Sequence, residues 1–131
     1  MQKILFLTLF LIFTLFGFSS EIKSKTLIYK NLMFQDSNFP TYMNWQNAIE
    51  YCDNLELLGY TDWRLPEFEE LSDVAQKSYK FKNLKNLDSC YWSDTIYPKN
   101  SDTSMFVDFS TGYDGWSSRN DNSFVICVRD L

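Results

Sequence analysis

Apolar and polar positions divide the chain into a leader, a helical stretch and a strand-rich half. Ile4 to Phe18 form an almost unbroken apolar run behind one basic residue, Lys3. Gly17 and Ser19 then place small side chains where a signal peptidase would need them, the pattern of a secretory signal peptide. The run is shorter than the ~20 residues a spanning helix requires. Residues 1–20 are therefore read as a cleaved signal and residues 21–131 as one exported domain. No later apolar run could span a bilayer, so no stable membrane span is expected after cleavage.

Beyond the leader, Thr26 to Asp36 reads as one or two short strands with a turn near Asn31. Ser37-Asn38-Phe39-Pro40 breaks this pattern. Trp45, Ala48, Ile49, Cys52 and Leu55 then fall on one stripe of an amphipathic helix. Asn44 is its expected N-cap and Gly59 its expected stop. A second helix is expected to start at Pro66, because a missing N–H costs nothing in the first turn. Phe68, Leu71 and Ala75 give its buried face, while Glu67, Glu69 and Glu70 complement the positive end of the helix dipole. The remainder alternates with period two. Tyr91 to Thr95 is a strand, and Met105, Val107 and Phe109 alternate with Phe106, Asp108 and Ser110. Thr111 to Gly115 is a turn, Ser117 to Asn122 a polar loop, and Phe124 to Arg129 a last strand carrying Cys127.

Composition narrows the chemistry. Among 131 residues, 12 are Lys or Arg and 17 are Asp or Glu; without Lys3 of the leader the balance is −6. Phosphate binding needs a clustered positive surface, so nucleic acid is not an expected partner. The chain has no His at all, which excludes Ser-His and Cys-His catalysis and argues against zinc. Three cysteines, Cys52, Cys90 and Cys127, entering an oxidising compartment allow one bridge and leave one thiol.

The ordered motifs are more specific. "LMFQD" (32–36), "W-x-x-A-x-x-Y-C" (45–52), "G-Y-T-D-W-R-L-P" (59–66), "E-L" (70–71), "Y-W-S-D-T" (91–95) and "C-V-R" (127–129) occur in this sequence. Together they resemble the C-terminal domain family of the Legionella collagen-like adhesin. That resemblance implies an α+β, C-type-lectin-like fold, with two helices packed on short, mostly antiparallel sheets. It also implies that one disulfide, Cys52–Cys127, ties the first helix to the last strand. Asp62, Trp63, Arg64, Leu65 and Pro66 become a fold signature; by residue type, Arg64 would satisfy buried carbonyls or pair with a carboxylate such as Asp62 or one near the C-terminus. Glu67 stands where the family pattern carries a Thr able to cap the second helix, and Cys90 lies outside the pattern.

Two ligand-facing regions follow from residue type. Tyr113, Asp114, Trp116, Arg119, Asn120, Asp121 and Asn122 put aromatic faces, amides and carboxylates in one stretch, a mixture suited to sugars. The competing reading is a solvated hairpin with Trp116 buried. Lys77, Lys80, Lys82 and Lys85 form a possible patch for an anionic ligand, or a set of solubilising lysines. Lectins of this fold often use calcium, but the Glu-Pro-Asn, Gln-Pro-Asp and Trp-Asn-Asp motifs are missing. Neither metal nor other cofactor is expected. The sequence thus reads as a periplasmic, secreted or surface-bound binding and adhesion module, not an enzyme, recognising a glycan or surface protein. The alternative is a structural or assembly component of a cell-envelope complex, possible as an oligomer through Cys90.

Overall fold

The computed structural model describes residues 25–37 and 41–131; the expected signal peptide lies outside them. Strands β1 (Thr26–Tyr29) and β2 (Leu32–Gln35) form an antiparallel hairpin, with Tyr29 opposite Leu32. The two-residue turn between them is closed by Lys30 at φ 53. β2 has neighbours on both edges, the second being β8 (Val128–Asp130), so the domain's two ends share one three-stranded sheet.

Successive side chains of β2 point to opposite faces and supply two cores. Phe34 packs with Leu71, Val74, Tyr91 and Val107 beneath the second helix. Met33 packs with Ala48, Cys52, Trp63 and Trp92 beneath the first. The two polar residues that follow are also buried. Gln35 donates to the Tyr51 hydroxyl (2.9 Å) and accepts from the Cys127 N–H (3.3 Å). Asp36 accepts from the backbone N–H groups of Lys82, Asn83 and Leu84, each at 2.9 Å, and so folds that loop around one carboxylate.

Helix α1 (Trp45–Asp53) follows β3 (Tyr42–Asn44), and the Asn44 side chain caps it by accepting from the Asn47 N–H at 2.9 Å. It ends at Asn54, short of Gly59. Gly59, at φ +80, serves instead a tight turn closed by Leu57 and Tyr60, whose N–H groups each donate to the other's carbonyl. Helix α2 (Phe68–Ala75) begins two residues later than expected, because the Pro66 carbonyl is taken by the Asp94 N–H (2.8 Å). Its start is satisfied from elsewhere. The Glu67 N–H donates to Glu70 Oε1 (2.9 Å), and the Phe68 N–H to the Thr95 hydroxyl (3.1 Å).

After a short 3-10 turn (Ser78–Lys80) come β4 (Cys90–Ile96), β5 (Thr103–Asp108), β6 (Asp114–Ser118) and β7 (Asn122–Phe124). With β3 they form a five-stranded sheet in the order β3-β7-β4-β5-β6. Three sequence expectations change here. The turn expected over Thr111–Gly115 gives up Asp114 and Gly115 to β6. The polar loop shrinks to Arg119–Asp121, because Ser117 and Asn122 pair as strand residues. The expected strand from Phe124 is split, with Phe124 ending β7 in one sheet and Val128 opening β8 in the other. Between them Cys127 is bridged to Cys52, their Cα atoms 5.4 Å apart. All paired strands are antiparallel except β4 and β7.

Candidate functional site

In the most charged stretch, Asp62 to Glu70, the side chains of Asp62, Arg64 and Glu70 are paired within the protein. Trp63 is buried and its indole N–H donates to the Tyr60 carbonyl at 3.2 Å. Arg64 forms a two-point contact with Glu70 (2.7 and 2.8 Å) and reaches Asp130 at 3.2 Å. Its backbone exchanges hydrogen bonds with Val128 at 2.8 Å in both directions. Asp62 is not Arg64's partner. It pairs with Arg129 (2.7 and 3.1 Å), whose guanidinium lies over the Tyr60 ring. Glu70 therefore does more than complement a dipole. The Arg64 hydrogen bond holds its carboxyl below the usual glutamate range, while burial opposes the shift.

The seven aromatic and polar candidates are placed in three settings. Tyr113 precedes β6 and is 77 % exposed, and Asp114 and Trp116 lie on that strand. Trp116 is 55 % exposed, not buried, and stacks on Tyr97 with centroids 4.3 Å apart and planes 1° from parallel. Arg119, Asn120 and Asp121 form the turn, where Asp121 accepts from the Ser117 hydroxyl at 2.7 Å. Asn122 alone lines a groove.

That groove, about 380 Å³, is bounded by Tyr42, Phe106 and Phe124 with Ser89, Ser117 and Asn122 among its polar edges. Its origin is topological. β7 meets β4 at one residue pair, Tyr91 and Phe124, so the strands separate beyond it. Gly115 contributes on the other side. A Cβ there would lie 2.6 Å from the Phe106 ring, so only glycine lets that ring extend towards β6. Sequence periodicity had no means of showing this groove, because its walls come from five strands. The half-buried Cys90 thiol also lines it, and burial, then the Asp108 charge, push that thiol's pKa up.

Lys77, Lys80, Lys82 and Lys85 are all exposed. Lys80 lies over the Tyr29 ring, and the backbone of Lys82 is held by Asp36. Among the described residues no cluster of His, Cys, Asp or Glu could hold a metal ion. Nor is any described helix long and apolar enough to cross a membrane.

The family model of the Lcl C-terminal domain matches residues 26–129. The chain belongs to this family. No curated protein matches it. Among solved structures, the snake venom toxin convulxin is similar at a TM-score of 0.58 and 14% identity, covering 82% of this chain and 96% of its own. Botrocetin gives 0.56 and 14%, with 82% and 97% covered. Human lithostathine gives 0.54 and 16%, with 82% and 98% covered. The Lcl C-terminal domain described here thus has the C-type-lectin-like fold, including the bridge from the first helix to the segment entering the last strand.

Proposed function

We propose that this Lcl C-terminal domain is an exported, non-enzymatic binding and adhesion module that recognises a glycan through the five-stranded sheet. The groove carries this reading. Aromatic faces beside hydroxyls and an amide are the surroundings that sugar C–H faces and hydroxyls require. Trp116, exposed and stacked on the half-buried Tyr97, offers a second apolar surface on the same sheet, on the face of β6 opposite Ser117. Export is supported by the apolar leader and by a disulfide suited to an oxidising compartment.

A surface protein is the other class of partner, and botrocetin offers a parallel, since it is known in complex with the von Willebrand factor A1 domain. Assembly through Cys90 is weakened by its half-buried place in the groove and its raised pKa. A glycan array followed by NMR titration of the purified protein tests the proposal. Neutral or acidic glycans should perturb Ser117, Asn122 and Phe124. No glycan bound at millimolar concentration would overturn the sugar reading, and a Cys90-dependent dimer on a non-reducing gel would favour assembly.

A further inference from the structure

β6 is an edge of the five-stranded sheet, and its two faces carry different chemistry. Ser117 lines the groove, whereas Asp114, Trp116 and Ser118 alternate with it and share the opposite face. That order sets an indole between a carboxylate and a hydroxyl, each about 6.5 Å along the strand from it. Trp116 is more than half exposed, and Asp114 is exposed beside it.

The indole is held in place although it is exposed. It stacks on Tyr97 with ring centroids 4.3 Å apart and planes 1° from parallel. Tyr97 is itself pinned through its backbone. Its N–H donates to the Thr103 carbonyl at 3.0 Å, and its carbonyl accepts from the Asn100 N–H at 3.2 Å. Thr103 pairs in turn with Ser118, and Met105 with Trp116, so the strand that holds Tyr97 also sets the register of the indole. A flat ring ordered in advance loses little freedom when a ligand settles on it.

We propose that Trp116, Asp114 and Ser118 form a second glycan site, separate from the groove, which takes a neutral pyranose of gluco configuration. Equatorial hydroxyls leave such a sugar with flat C–H faces, the surface that an aromatic ring accepts. Its rim of hydroxyls then meets Asp114 on one side and Ser118 on the other. The carboxylate accepts from a hydroxyl, and the Ser118 hydroxyl can donate or accept. Charge selects the ligand class. A carboxylate beside the ring, in a domain whose balance is −6 without Lys3 of the leader, favours hydroxyl donors and repels a uronate or a sulfate. With a sugar site on each face of one strand, a single domain would hold a polymeric glycan at two points.

The test is an NMR titration of the purified protein with two reporters, the Trp116 indole N–H for the platform and the Asn122 side-chain amide for the groove. Its probes are methyl β-glucoside, glucuronate and N-acetyllysinamide. Methyl β-glucoside should shift the Trp116 indole. In Trp116→Ala the affinity read at the Ser118 amide should fall about tenfold or more, while Asn122 keeps its response. Trp116→Phe, which keeps a ring on Tyr97, should lie between, and it carries the comparison if the Ala variant unfolds. At low salt glucuronate should bind the platform about threefold more weakly than the glucoside, and Asp114→Asn should close that gap. An unchanged gap in Asp114→Asn, or an Asn122 response lost together with that of Ser118 in Trp116→Ala, overturns the proposal. Preference for N-acetyllysinamide would overturn it in favour of a basic protein partner, and a dimer abolished by Trp116→Ala in favour of self-pairing along β6. If Asn122 responds and Trp116 does not, the groove reading stands and only this inference fails. If Trp116 responds and Asn122 does not, the groove reading fails and the second site stands. If neither responds, both fail.

Discussion

Arg64 and Arg119 carry the same guanidinium into differently built surroundings. Arg64, with its side chain 29% exposed, is matched to a Glu70 side chain 17% exposed, and a third contact reaches Asp130 on β8. One side chain thus joins the segment before α2, the first turn of α2 and the last strand. Arg119 has only an aromatic ring beneath it and a donor with nothing to bond. Density of charge along the sequence therefore marks internal pairing at Arg64. The crowded corner is closed on itself, while the unmatched cation sits in a turn of ordinary composition.

The largest test of the framework side is the bridge that closes the chain between α1 and the segment before β8. Cys52→Ala opens a loop of 75 residues in sequence separation. Its loss should cost about 4 kcal/mol in the chain-entropy model, measured by denaturant unfolding. Glu70→Ala comes next, at about 2–3 kcal/mol, since Arg64 is left with one exposed partner and the Glu67 N–H loses its acceptor. The pH dependence has a fixed sign. The folded pKa of Glu70 is depressed by Arg64, so the pair's contribution is full above the unfolded glutamate value and is lost as pH falls through the folded one. Glu70→Gln should remove that part of the acid-side slope. An unchanged slope would show that Arg64 is no more committed than Arg119.

Much of this framework was legible in residue order. The stripe from Trp45 to Cys52, the Asn44 cap and the turn after Tyr29 are local patterns, and local patterns survive in sequence. The disulfide came from family resemblance, since three cysteines alone left the pairing open. What was hidden depends on residues far apart in the chain. Thr95 accepts from the first N–H of α2, that of Phe68, 27 residues away. Asp36 gathers three N–H groups some 46 to 48 residues away. Glu70 fitted a helix-dipole reading equally well, because spacing does not show which way Arg64 turns. Trp116 was open to a buried reading on apolarity alone, yet β6 is an edge strand and leaves the ring outside, resting on Tyr97. Of the seven candidates between Tyr113 and Asn122, only Asn122 lines the groove, beside Ser117, which residue type alone had not singled out.

A smaller effect sharpens the groove side. Gly115→Ala should cost about 1–2 kcal/mol, because the added methyl must displace the Phe106 ring. The displaced ring should also weaken neutral-sugar binding, read by NMR titration. Loss of stability with full sugar affinity would separate Phe106 packing from recognition and move the binding surface towards Trp116.

The smallest expected change is the most discriminating for the two arginines. Arg119→Met keeps an apolar stem for Trp45 and removes a donor that has no acceptor. The variant forfeits the cation–π attraction to Trp45, worth about 0.5–1 kcal/mol at an exposed site. Removing an unsatisfied buried donor returns about 1–3 kcal/mol. The two effects oppose each other, so the unfolding midpoint should hold or rise slightly, whereas Arg64→Met should destabilise by about 2–3 kcal/mol through the uncompensated Glu70. A destabilisation at Arg119 as large as that at Arg64 would mean that the Trp45 ring holds the turn through the cation. Arg119 would then be a second structural arginine.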